Sequence, residues 1–509
     1  MDFKTVRQTM AVNESVFSAT GEIPVDEDFV LPDFYPEITK ILKCKAVARV
    51  SSKGANGTSA EIDGHICITL LYCDKNGCIK NYEHIAPFTK TFDTNEDVTG
   101  GIVHCKIKPE YINCRAITER KASVHGAFSV SVHIKLKKQH EVIVEIDDDT
   151  VQTNRGECSF LNAVSSAEKN YVIEQELELS NGQQTIESII RCDAFPAITE
   201  IKAVRNKAAV KGNLTVSLLY SSGKQCIPYK SVIPFSQFID IQGISEECVC
   251  TGKVQLCFLE VKPKSVDGEW RSMTLNAKLA IAVETFCEGE VPVINDAYST
   301  KYELEMEHLG VNLEKIFGHI SDSFMFKKTI ELPEGALGNI IDTWSEIEVE
   351  SCTFNKGTVT VKGYITVCLL VYDNDGRACY HEKKSDFCFE KNTDYCCDGN
   401  LVCSPVIEPV TSSFAILSDT SIEYRIEYRI NLSLCEEKKV SLLTKISSND
   451  DALKKKKNDC SLIIYFANRG ENIWDIAKKF NTDLNEMKTI NSLDGESLSC
   501  ERQLLIPLV

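Results

Sequence analysis

The chain of 509 residues is too long for one hydrophobic core and divides into roughly three or four domains. An apolar share of 43% with 26% charged residues excludes disorder as the default state, and a net charge of −18 repels phosphate backbones, which excludes nucleic acid as a general partner. The longest apolar runs, such as Ile66–Tyr72, fall far short of the ~20 residues that span a bilayer, so no transmembrane segment is expected.

The first ten residues, Met1–Met10, lack the apolar stretch of an export signal, and the expectation is a protein that stays in the cytoplasm of the cell that makes it. The 23 cysteines are odd in number, scattered, and set within strand-like runs (Cys67, Cys257, Cys368). No Cys-x-x-Cys occurs, so a zinc ribbon is not expected, and the thiols are read as free, small buried hydrophobes.

From about residue 20 to 445 a weak repeat recurs. A glycine followed by an apolar, β-rich run appears at Gly64–Tyr72, Gly212–Tyr220 and Gly363–Tyr372. A turn follows each copy: Asp74–Gly77, Ser221–Gly223 and Asp373–Gly376. Asp33–Thr39 parallels Asp193–Thr199, and Ile85–Phe88 parallels Val232–Phe235. The third copy lacks both of these flanking elements and keeps only the alternating stretch Trp344–Val349 before its strand. Each copy closes on alternating segments, Phe128–Ile134, Leu275–Ile281 and Ile422–Ile430. The last sets Ile422, Tyr424, Ile426, Tyr428 and Ile430 on one face and charges on the other, as in a half-solvated antiparallel strand. The fold class is therefore mainly β: three tandem sandwich- or barrel-like domains, whose glycine-led strands should be equivalent, followed by a small β-α-α-β domain. The boundaries read 1–160, 161–310, 311–447, a charged linker 448–460 with the basic run Lys454–Lys457, and 461–509.

In the last segment Leu462–Ala467 reads as a strand. Ile473, Ile476, Ala477 and Phe480 then share one helical face, capped by Asn472 with Asp475 in capping-box position. A second short helix from Thr482 turns Leu484, Met487 and Ile490 inward, and Gln503–Pro507 is a terminal strand. Catalytic signatures are missing: there is no Gly-x-Ser-x-Gly, no Walker-type Gly-x-x-x-x-Gly-Lys, no completed zincin motif after His140–Glu141, and no pair of the nine histidines at helical ligand spacing. Neither an enzyme nor a bound cofactor or metal is expected.

The glycine-strand-turn and Pro-Phe elements resemble the SPOCS domain of spore-coat proteins. Tyr465, Gly470, Trp474, Ile476–Ala477, Asn491 and Leu504–Pro507 resemble the LysM family. Together they resemble the SipL family of spore-coat morphogenetic proteins. That resemblance implies a non-catalytic scaffold of the mother-cell cytoplasm at the forespore surface, with the coat ATPase SpoIVA and other coat proteins as partners. LysM domains bind N-acetylglucosamine chains, so peptidoglycan is the alternative ligand. Carried over, the groove comprises Gly470, Glu471, Asn472, Ile473, Asn491, Ser492 and Leu493. The usual Gly-Asp-Thr is here Gly470–Asn472, and Cys500–Arg502 replaces Pro-Gly-Gln. Docking of a protein is therefore expected, with Trp474 as the exposed anchor and Tyr465 second.

Overall fold

The computed structural model describes residues 3–180, 182–266, 268–395, 400–453 and 461–507. Three successive sets of six antiparallel strands make up the body. The first set is β1 (Thr5–Val30), β2 (Lys40–Asn56), β3 (Ser59–Cys73), β4 (Ile79–Asp93), β5 (Ile102–Thr118) and β6 (Lys121–Ile146). The second is β7 (Val151–Glu178), β8 (Ser188–Val204), β9 (Lys207–Ser222), β10 (Gln225–Asp240), β11 (Val249–Val266) and β12 (Glu269–Ser299). The third is β13 (Tyr302–Glu331), β14 (Asn339–Asn355), β15 (Thr358–Tyr372), β16 (Ala378–Asn392), β17 (Asn400–Ser418) and β18 (Ser421–Leu453).

Each unit pairs its strands the same way. One three-stranded sheet is a meander with the glycine-led strand in the middle, β2-β3-β4, β8-β9-β10 and β14-β15-β16. The other places the sixth strand between the first and fifth, β1-β6-β5, β7-β12-β11 and β13-β18-β17. The three glycine-led runs are thus equivalent central strands. The two sheets of a unit share one core; in the first unit Ile62, Ile66, Ile68 and Leu70 of β3 pack with Phe128, Val130, Val132 and Ile134 of β6. The alternation read at Ile422–Ile430 holds, since all five apolar side chains there are buried.

The repeat glycine has a steric cause. A Cβ on Gly64, Gly212 or Gly363 would collide with the carbonyl of Arg49, Ala197 or Glu348 and with the ring of Phe88, Phe235 or Phe387. Those phenylalanines stand directly opposite the glycines in the register and lie over them. The third copy therefore keeps the aromatic of this pair as Phe387, without the proline. Pro87 and Pro234 sit on edge strands, where the missing N–H disrupts no ladder.

Several sequence expectations need correction. Asp33–Thr39 lies in the connection before β2, whereas Asp193–Thr199 lies inside β8, so their likeness is not structural equivalence. Tyr72 and Tyr220 align in register with Val371, and Tyr372 falls one residue later, on the opposite side of its strand. The chain passes between units at 147–150 and 300–301, N-terminal of the 160/161 and 310/311 boundaries, because each unit opens on a strand of 26 residues or more. β18 runs on to Leu453, so residues 448–453 are strand rather than linker, while Lys454–Lys457 lie outside the described residues. Cys248 and Cys287, one register step beyond the Val249–Phe286 pair, form a disulfide across β11 and β12 with Cα atoms 4.6 Å apart. This pair departs from the expectation that nearly all thiols are free, because antiparallel neighbours at that separation are already within bonding reach.

The units close around a common axis. Leu71, Leu219 and Leu370, the same repeat position three times, are buried in one cluster together with Leu42, Ile190 and Ile341. Beside them lies a charged layer whose signs differ between units. Arg191 donates to Asp342 at 2.8 Å and to Asp193, stacks 4.5 Å from the Trp344 ring, and Lys45 reaches Asp193 at 3.3 Å and Glu346 at 2.8 Å. Burial alone would push the Asp193 carboxyl up, but Lys45 and Arg191 hold it below its ordinary value. Further along, Lys135 pairs with Glu314 at 2.5 Å, Lys53 with Glu168 at 3.1 Å, and His104 contacts Glu284 at 3.3 Å, each across a unit boundary. Burial, then Lys253, Lys135 and Lys53, hold the His104 imidazole down at about 3, so that contact is a hydrogen bond with neutral histidine at neutral pH. Beyond these charges the long strands form a three-part bundle, with Val12, Phe160 and Leu313 in one buried cluster and Ile146, Ala297 and Ile446 in the next.

Candidate functional site: the C-terminal domain and its anchor

The C-terminal domain comprises β19 (Leu462–Ala467), α1 (Ile473–Phe480), α2 (Leu484–Asn491) and β20 (Arg502–Pro507), with β19 and β20 antiparallel. Asn472 caps α1 by accepting from the Trp474 N–H at 2.8 Å, and Asp483 caps α2 by accepting from the Glu486 N–H at 2.8 Å. Ile473, Ile476, Ala477, Met487, Leu504 and Ile506 form the core with Phe480 and Leu484 at its margin. Ile490 is 43% exposed and does not join it, because the helix begins after Asp483 and its last turn rotates Ile490 outward.

The residues expected to line a ligand groove divide into two groups. Asn491 is buried and acts as an added rung of the sheet. Its amide donates to the Leu505 carbonyl at 2.6 Å, and its side-chain oxygen accepts from the Leu505 N–H at 2.7 Å. Ile473 and Leu493 are also buried. Gly470, Glu471, Asn472 and Ser492 remain toward solvent on two loops. The first loop pairs with 496–498: the Gly470 N–H donates to the Leu498 carbonyl at 2.9 Å, the Ile473 N–H to the Glu496 carbonyl at 2.9 Å, and Asn472 bridges Ser497. Gly470 adopts φ +88°, a left-handed conformation that suits glycine. Tyr465 is half-buried; its hydroxyl donates to Glu471 at 3.1 Å, its ring packs on Phe480, and the Lys479 ammonium lies 4.7 Å above it. The Asn468 amide, at 2.9 Å, and Tyr465 hold the Glu471 carboxyl below the ordinary carboxylate range.

Trp474 is not an exposed anchor. It is 7% exposed because the domain rests on the end of the second unit. The Trp474 ring meets Tyr298 edge-on with centroids 4.9 Å apart, and its indole N–H donates to Asp296 at 2.9 Å. Lys478 reaches the same carboxylate at 2.7 Å, the Tyr298 hydroxyl donates to the Thr482 carbonyl at 2.7 Å, and the Gln152 amide donates to Asp483 at 2.9 Å. Burial pushes Asp296 up, and the bonds from Lys478 and Trp474 more than offset it, leaving the carboxyl below its ordinary value. Asp296, Tyr298 and Gln152 belong to β12 and β7 and carried no signal in the sequence, since the contact joins positions more than a hundred residues apart.

A second surface follows from the strand pattern of β19. Leu462–Ala467 is apolar at every position, so a two-sided strand must turn half of it outward. Ile463, Tyr465 and Ala467 face the helices. Leu462, Ile464 and Phe466 face away, 46%, 57% and 70% exposed, and Leu505, paired with Ile464, adds a fourth apolar side chain at 38%. This contiguous patch stays uncovered when the domain docks on the body.

Such a fold, a β-repeat body bearing one small two-helix domain, defines a modular, mainly β protein. The family model described as the SipL SPOCS domain matches residues 37–117 and 185–264, and the LysM domain model matches 468–507. The chain thus carries two SPOCS domains of the SipL type and a LysM domain. The matched SPOCS regions open before β2 and β8 and close within β5 and β11. The third unit shares their strand order, though no SPOCS match falls on it. No curated protein and no solved structure matches the chain. Among the described residues no helix is long and apolar enough to cross a membrane.

Proposed function

We propose that this chain is a non-catalytic scaffold of the bacterial spore coat, acting in the mother-cell cytoplasm at the forespore surface. In this reading its LysM domain binds the coat ATPase SpoIVA and its β-repeat body offers surface to other coat proteins, so that coat layers localise and encase the forespore. The SPOCS and LysM matches support the sporulation setting. The observation that carries protein docking is the uncovered apolar face of β19 and β20, with Phe466 at its most exposed point. Apolar and aromatic anchors of this kind characterise the centres of protein interfaces, and this face lies apart from the paired loops at 470–473 and 496–498. The anchor role assigned in the sequence to Trp474 passes to Phe466, because Trp474 is already engaged by Asp296 and Tyr298.

The alternative, binding of N-acetylglucosamine chains, draws on the LysM match and on the paired loops at 470–473 and 496–498, which keep Asn472 and Ser492 exposed. The two readings separate in one experiment with the full chain. Phe466→Asp should weaken SpoIVA binding by about 2 kcal/mol, roughly thirtyfold, while leaving the fold intact. Unchanged SpoIVA affinity together with tight binding of chitin oligomers would contradict the proposal.

A further inference from the structure

In every unit the fifth strand, β5, β11 or β17, lies at the outer edge of its three-stranded sheet, paired with the sixth. An edge strand leaves alternate N–H and C=O groups free to pair with another chain, and charged side chains or proline usually guard it. Three backbone bonds bring the units into register here. The Arg120, Arg271 and Thr420 carbonyls accept from the Leu31, Leu179 and Leu332 N–H groups at 2.8, 3.0 and 2.7 Å. Three residues further along the sixth strand, Ser123, Thr274 and Glu423 stand opposite Arg115, Lys262 and Ala415. The first two units thus set an exposed cation on the edge at this position, and the third sets alanine.

The guard is lost along the whole end of β17. β5 carries Lys108, Glu110 and Arg115, and β11 carries Glu260, Lys262 and Lys264, with Pro263 between the lysines. β17 has no charged residue from Pro409 to Ser418, in a chain with a net charge of −18. Lys230 of the second unit donates to the Val410 carbonyl at 2.9 Å, and beyond that point Thr411–Ser418 are exposed on both faces of the strand. The apolar side chains also differ in what they meet. Cys114 and Val261 pack against the cores of their units, whereas Phe414, at the same position, is exposed together with Ile416 and Leu417. The third unit therefore presents an unguarded apolar edge where the other two present cations.

We propose that β17 pairs antiparallel with β17 of a second copy of this chain, so that β13-β18-β17 continues into the same three strands of the other copy in reverse order. Charge selects the occupant. Two chains that each carry −18 repel as wholes and meet most readily where neither presents charge, and an uncharged edge is complementary to itself. A basic partner would be drawn to acidic side chains, which this stretch lacks. A twofold axis through Ala415 sets Phe414 of each copy opposite Ile416 of the other, an aromatic beside a β-branched side chain on one face of the joined sheet. In that register the two Ala415 residues face each other. A cation there, as at Arg115 or Lys262, would set two like charges directly opposite.

The test is sedimentation velocity of the full chain over a series of concentrations. The expected result is a monomer–dimer equilibrium, with slower hydrogen exchange at 411–418 in the dimer than in the monomer. Ala415→Lys gives the third unit the kind of residue the other two carry, on a face open to solvent. It should raise the dimer dissociation constant about a hundredfold and keep the thermal midpoint of the monomer. Phe466→Asp, on the LysM face, should leave the dimer unchanged, so failure of this proposal and failure of SpoIVA docking read separately. A monomer at every concentration, assembly that runs on past the dimer, or a dimer that survives Ala415→Lys would overturn the proposal.

Discussion

At the centre of the body Leu71, Leu219 and Leu370 meet as three copies of one position, whereas the LysM domain meets the second unit at Asp296, Tyr298 and Gln152. The two regions put repetition to different uses. Around the axis, apolar residues can remain alike in all copies, because identical leucines pack against one another. Charges there cannot: three identical buried cations would repel. The strands β2, β8 and β14 accordingly carry Lys45, Asp193 and Arg191, and Asp342 in one layer, and these pair across units. The units share one strand order and are held together by residues that differ between them. The LysM domain relies on difference from the start. The ends of the other two units present Asp147 or Ser447 near the place of Tyr298, so only the second unit offers the aromatic and carboxylate that receive Trp474.

Removing a charge at the axis should have the largest effect. Arg191→Met leaves Asp193 and Asp342 without their shared cation and should cost about 3–5 kcal/mol in chemical unfolding. Equal stability would mean that the layer does not hold the units. Next comes the repeat glycine. Gly212→Ala forces a methyl against the Ala197 carbonyl and the Phe235 ring and should cost about 1–3 kcal/mol, without disturbing the LysM domain.

Acid should then act on the body. Because His104 is held neutral down to about 3 while an unfolded histidine titrates near 6.5, the unfolded chain binds more protons in that window. Stability should fall as pH drops from 6.5 toward 3, and His104→Gln should shallow the slope measured by thermal unfolding. The smallest change is at the LysM anchor. Asp296 is partly open to solvent, so Asp296→Asn should weaken docking by about 1 kcal/mol or less, seen as faster hydrogen exchange in α1 with the body unchanged. Asp296 has a lowered carboxyl value, so its contribution is present at neutral pH and lost as pH falls through that lowered value.

Much of this was legible from residue patterns and part was not. Period-two alternation located β18, and the glycine-strand-turn unit located β3, β9 and β15, because both signals are local. Helix caps and the apolar spacing of Ile473–Phe480 gave the LysM fold for the same reason. Unit boundaries were displaced because strands as long as β12, at 31 residues, run through the polar segments that a reader takes for linkers. The Asp33–Thr39 likeness misled because a short proline-containing string fits a turn and an edge strand equally well. The Cys248–Cys287 bridge and the burial of Trp474 depend on pairings between distant segments, which no single stretch of sequence displays. The outward face of β19 is legible from alternation alone, which sets Leu462, Ile464 and Phe466 on one side of the strand.

The account turns on the three units closing about one axis with their hairpin turns together, and interprobe distances test it most directly. Spin labels introduced as unnatural amino acids at Lys75, Lys224 and Asn374, all exposed at the hairpin end, give three pairwise distances. Closure predicts three short and nearly equal values. A first-to-third distance much longer than the other two, as in a row of beads, would contradict it.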